Sequence, residues 1–135
     1  MEGLNANNTE NIEKIRSQLI DNILAGKHDS ENDNDLANYR ATFLKGEEPL
    51  FVNIWSVKRG HQLGYIVLHD FLMKVGKGNI FSSTDFEPDG VKLFEKAAAN
   101  GLIKQISEKS GLNNITRWKI VGDPRANLEK LKNIK

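Results

Sequence analysis

DGVKLFEKAAANGLIKQISEKSGLNNITRWKIV, residues 89–121, decides the fold because three consecutive elements can be read from it without a gap. Val91, Phe94, Ala97 and Ala98 recur at the spacing of one helix face, leaving Lys92, Glu95, Lys96 and Asn100 toward the other side. Gly101 stands where such a helix ends, since glycine enters the left-handed conformation without a Cβ penalty. Leu102-Ile103 then opens a strand, the polar tip Lys109-Ser110-Gly111-Leu112-Asn113-Asn114 turns the chain, and Ile115–Val121 returns as a second strand. Trp118 alternates with Arg117 and Lys119 there, so it is expected in the core while the two cations face away; stacking on a nucleobase is the alternative.

Upstream of this stretch, Thr84-Asp85-Phe86-Glu87 has the spacing of a capping box, with Pro88 tolerated in the first turn. Asn79 to Ser83 reads as a loop, and Gly76-Lys77-Gly78 as the end of a helix marked by Leu68, Phe71, Leu72 and Val75. Tyr65-Ile66-Val67 reads as a brief strand before it. Glu47-Glu48-Pro49 suits a helix start, and Leu50, Ile54 and Val57 share a face, so Pro49–Arg59 is expected as a helix. The β-prone run Phe51-Val52-Asn53-Ile54-Trp55 keeps a strand open as the alternative, because periodicity does not separate the two over so few residues. Leu36 to Leu44 is expected as a short helix stopped at Gly46, with the folded domain starting near that glycine.

At the N-terminus, Asn8 or Thr9 can cap a helix running to about Ala25 and closed by Gly26. Its apolar stripe, Ile12, Ile15, Leu19 and Ile23, must bury against the rest of the chain or against another protein. Residues 28–46 then carry an acidic linker and the short helix. At the other end Asp123-Pro124 gives an N-cap followed by proline, and Leu128 and Leu131 support a helix over 123–135 whose lysines suit its negative end.

Helix, short strand, helix, helix, strand, turn, strand over Pro49–Val121 resembles the winged-helix superfamily. Within it, LGYIVLHDFLMKV followed by a loop and FEPDGVKLFEKAAANGLIKQ is similar in layout to LOTUS (OST-HTH) domains. The resemblance implies an α+β fold over 47–122, a three-helix core with a C-terminal β-hairpin wing, carrying helical extensions at 1–27 and 123–135. It also implies binding to RNA, DNA or protein partners, since winged helices of similar backbone serve all three.

The overall charge of +1 hides a division. Met1 to Glu48 holds five Lys/Arg against ten Asp/Glu, a balance of −5, and Pro49 to Lys135 holds fourteen against eight, a balance of +6. Such an excess favours phosphate binding, though a solvated lysine-rich surface has the same composition. A winged helix presents its third helix to a groove and its wing to the backbone, so the expected nucleic-acid surface is Lys92, Lys96, Asn100, Lys104, Lys109, Asn113, Asn114, Arg117 and Lys119. Contacts to backbone and shape are expected rather than base reading, because the helix offers neither Arg nor Gln. The rival reading is a protein-interaction or homodimerising module using Ile12, Ile15, Leu19 and Ile23.

The absence of cysteine excludes disulfides, thiolate catalysis and cysteine-ligated metal centres. His28, His61 and His69 fall in no metal-ligand spacing or triad, and adjacent His69 and Asp70 diverge on a helix. Gly76-Lys77-Gly78 lacks the full phosphate-loop spacing. A non-enzymatic module is therefore expected, with no cofactor, no small-molecule substrate and no membrane partner, in the cytoplasm or nucleus.

Overall fold

The computed structural model describes residues 4–29, 37–56, 62–84, 88–108 and 115–133. The elements in chain order are α1 (Leu4–Leu24), β1 (Ala37–Thr42), β2 (Leu50–Ser56), α2 (Leu63–Val75), β3 (Ile80–Thr84), α3 (Pro88–Ala99), β4 (Ile103–Glu108), β5 (Ile115–Ile120) and α4 (Pro124–Asn133). The class is α+β, with five strands in the order β1-β2-β3-β5-β4. Every neighbouring pair is antiparallel except β2 and β3, which run parallel and are joined through α2.

The helix and the two antiparallel strands of the expected ending form, while its tip, residues 109–114, lies outside the described residues. Gly101 takes φ +76, its N–H reaches the Ala98 carbonyl, and the Leu102 N–H reaches Ala97. These paired bonds satisfy carbonyls that the end of α3 would otherwise leave open. Gly26 and Gly76 close α1 and α2 with φ of +72 and +92. Asp123 caps α4, its carboxylate accepting from the Ala126 N–H at 3.2 Å.

Upstream, the expectations need correction. Pro49–Arg59 is not a helix: Leu50–Ser56 is β2, held by β1 on one side and β3 on the other. Leu36 to Leu44 is not a helix either, since Ala37–Thr42 is β1. Both runs are short, Phe51, Val52, Ile54 and Trp55 are β-prone, and sheet neighbours decide what local spacing does not. The loop expected over Asn79 to Ser83 is largely β3. Thr84 ends that strand, and its hydroxyl donates to the Val52 carbonyl at 3.1 Å; residues 85–87 of the expected capping box lie outside the described residues. The segment expected as the first helix of a three-helix core within 47–122 is thus a strand.

Tyr65-Ile66-Val67 is likewise no strand but lies in the first two turns of α2. This helix is buried at Leu63, along the whole run Tyr65 to Leu72, and at Val75. Its first turns are covered on every side and show no polar face, so Tyr65 to Val67 lacks the period by which Leu68, Phe71, Leu72 and Val75 mark the rest of the helix.

The core face of the sheet carries Tyr39, Phe51, Phe81, Trp118 and Ile120. Phe71 of α2 meets Phe51 and Phe81 edge-on at 4.9 and 5.0 Å between centroids, and Phe94 of α3 meets Phe51 at 5.2 Å and stacks on Trp118 at 5.8 Å. Both helices therefore rest on one face of the sheet. Leu19, Ile20 and Ile23 of α1, with Leu128 and Leu131 of α4, extend the same core on the far side of α2. The folded core thus begins well before Gly46.

Candidate nucleic-acid interface

The opposite face of the sheet is built by strand alternation. In β5 Trp118 and Ile120 point into the core, which turns Arg117 and Lys119 outward. In β4 Ile103 is buried against Ile120, so Lys104 stands outward and directly opposite Lys119. Both lysines are exposed, and no acid among the described residues pairs with either. Two like charges facing one another across an antiparallel pair, with Cβ atoms about 5 Å apart, destabilise the sheet locally.

Arg117 has a partner. Its Nε donates to Glu48 Oε2 at 3.1 Å and its Nη2 to Glu48 Oε1, so the guanidinium fork grips the carboxylate with two parallel bonds. Hydrogen bonding to Glu48 raises the Arg117 pKa. Ser82, directly opposite Arg117 on β3, donates its hydroxyl to the same Glu48 Oε2 at 3.3 Å. Arg40 of β1 stands opposite Asn53, exposed on the same outer side.

The structure divides the expected surface in two. Lys104, Arg117 and Lys119 come together on the outer sheet face. Lys96 and Asn100 lie on the helical side instead, grouped around Tyr65: the Lys96 ammonium sits 4.4 Å from the ring centroid and Asn100 Nδ2 donates to the Tyr65 hydroxyl at 2.6 Å. Burial pushes the Tyr65 hydroxyl pKa up, against the hydrogen bond from Asn100. Lys92 is exposed on α3. Lys109, Asn113 and Asn114 lie outside the described residues.

Trp118 is a core residue, 6% exposed, with its indole N–H donated to Ser83 Oγ at 2.9 Å. Its geometry leaves no free face for a base. The N-terminal stripe is partly spent in the same way: Leu19 and Ile23 are buried, while Ile12 and Ile15 are half-buried.

Three residues of the outer face escape the sequence reading: Arg40, Glu48 and Ser82. Reading β1 as a helix hides the alternation in Asn38-Tyr39-Arg40-Ala41-Thr42 that points Arg40 away from Tyr39. Glu48 reads as an acid at a helix N-terminus, and its pairing with Arg117, 69 residues away, has no local signal.

No described helix is long and apolar enough to cross a membrane. No family model matches this chain, and neither the curated proteins nor the solved structures contain a match.

Proposed function

We propose that the protein is a non-enzymatic nucleic-acid-binding module that uses the outer face of its sheet to contact the phosphate backbone. The observation that carries this reading is the direct opposition of Lys104 and Lys119, with Arg117 two residues along the same strand face. An anion lying across the two lysines removes their mutual repulsion, so charge that costs stability in the free protein contributes to binding. The +6 balance from Pro49 onward acts in the same direction. Of the winged-helix resemblance, what supports the reading is the part from α2 to β5, where a helix precedes a hairpin carrying cations. Lys92, Lys96 and Asn100 form a secondary polar surface on the other side, around Tyr65.

Fluorescence anisotropy with labelled oligonucleotides tests it. Affinity for an extended strand is expected to fall with salt, each neutralised phosphate adding about −0.7 to the log–log slope for single strands or about −0.9 for duplex DNA. Lys104→Glu with Lys119→Glu is expected to abolish binding. Absence of binding to single strands, duplex DNA and structured RNA at low salt rejects the reading.

A protein-binding or homodimerising role is the second reading, favoured by Phe43 and Leu44, which are 47% and 56% exposed side by side between β1 and β2. Sedimentation equilibrium on the full chain and on Leu44→Lys separates the two. A monomer in both removes the homodimer.

A further inference from the structure

We propose that Arg117 and Ser82 form an oxyanion site for a phosphate group, which Glu48 occupies in the free protein and a ligand phosphate takes over on binding. The inference rests on the nucleic-acid reading and adds where on the sheet face one phosphate sits and what holds the site closed. A guanidinium fork engages a carboxylate and a phosphate with the same planar two-point geometry. The Ser82 hydroxyl supplies a third donor converging on the same carboxylate. Arg117 and Ser82 are fixed by cross-strand pairing in the middle of the sheet. Glu48 is not: it belongs to the connection between β1 and β2, exposed from Phe43 to Glu48, where the backbone turns through Gly46 at φ +82. The donors therefore sit on rigid strands and the acceptor on a loop.

The surroundings favour exchange. The side chains of Arg117 and Glu48 keep 30% and 36% of their exposure, so the pair is reached from solvent. An open depression of about 460 Å³, lined by Glu47, Glu48, Pro49, Val75, Asn79 and Ile80, lies beside the carboxylate and gives a displaced Glu48 room to swing. Lys119, on the same face of β5 two residues from Arg117, adds attraction for a phosphate that Glu48 does not fully use. The pair is open to solvent and screened by it, so a phosphate that engages the same fork with a lysine nearby competes with the carboxylate.

The experiment measures anisotropy of a fluorescein-labelled oligothymidylate with wild-type protein, Glu48→Gln, Arg117→Lys and the double variant Glu48→Gln/Arg117→Lys. Glu95→Gln, an equal charge change on α3, serves as control. Opening the site is expected to raise the affinity of Glu48→Gln up to about fivefold over wild type, the share that an exposed pair of ordinary strength holds back. The gain is expected to vanish with Arg117→Lys, which keeps the charge but loses the fork, and to be absent from Glu95→Gln. Equal gains in Glu48→Gln and Glu95→Gln, or a gain that survives Arg117→Lys, overturn the site. Oligothymidylate bound equally by wild type and Glu48→Gln leaves nucleic-acid binding standing and overturns the site alone. If neither binds oligothymidylate, calorimetry with inorganic pyrophosphate decides: Arg117-dependent binding by Glu48→Gln keeps the oxyanion site and rejects nucleic acid, and no binding rejects both.

Discussion

Asn127 of α4 donates its side-chain amide to Nε2 of His69 on α2 at 2.9 Å, and this bond fixes the protonation of a buried imidazole. With Nε2 accepting, the proton sits on Nδ1, which donates to the Tyr65 carbonyl at 2.8 Å. Burial lowers the His69 pKa to about 4, the Tyr65 carbonyl opposes that shift, and the nearby Lys96 charge adds to it. The neutral ring is thus part of the joint between two helices.

Acid should loosen that joint. The folded pKa of about 4 lies below the ordinary 6.5, so the unfolded chain takes up the proton first as pH falls. Stability is expected to drop between pH 6.5 and about 4 and then to level off for this group, by an amount on the order of 3 kcal/mol. Urea denaturation across that range measures it. His69→Leu should show a shallower acid limb, and an unchanged limb would contradict the assignment.

The buried carboxylate of Asp70 makes a second joint, between β1 and α2. It accepts from the Tyr39 hydroxyl at 2.6 Å and from Lys74 Nζ at 2.9 Å, while His69 beside it in sequence points elsewhere. Tyr39→Phe removes one donor from a carboxylate that is almost fully buried, and a loss of about 1–3 kcal/mol is expected in chemical denaturation. A loss below a few tenths of a kcal/mol would show that Lys74 alone satisfies Asp70.

Gly122 has a steric duty rather than a conformational one. A Cβ at this position would meet the Gly101 carbonyl oxygen at 2.3 Å and the Leu102 Cα at 3.0 Å, both backbone atoms. The end of β5 lies against the turn between α3 and β4, where the Gly122 N–H reaches Leu102 at 3.1 Å. Gly122→Ala is expected to cost about 1–3 kcal/mol, as overpacking does. Gly26→Ala meets nothing within 4 Å and loses only through its positive φ, so comparing the two Tm values separates crowding from backbone strain.

The facing lysines give the opposite sign. Lys119→Gln removes repulsion across the β4–β5 pair and is expected to raise stability by a few tenths of a kcal/mol, about what a cross-strand charge pair contributes. The same change should weaken oligonucleotide binding. A stabilised variant that binds as tightly as wild type would break the link between the lysine pair and phosphate contact.

Features with local causes were readable along the chain. Gly101 ended α3, Gly76 ended α2 and Asp123-Pro124 opened α4 because each acts through its own backbone conformation or its own hydrogen bonds. Trp118 could be placed in the core from alternation with Arg117 and Lys119. The candidate interface was half legible: alternation turned Arg117 and Lys119 outward. Nothing local distinguished their side of the molecule from that of Lys96 and Asn100.

What spacing left open was settled by contacts between distant segments. Leu50–Ser56 became a strand because β1 and β3 supply its hydrogen-bond partners, and Tyr65-Ile66-Val67 joined α2 because burial on all sides erased the polar face that marks a helix there. The clasp of Glu48 on Arg117 likewise exists only because two segments 69 residues apart meet on one sheet. Backbone torsions and caps are decided within a few residues; partners, faces and the pairing of charges depend on which segments the folded core brings together.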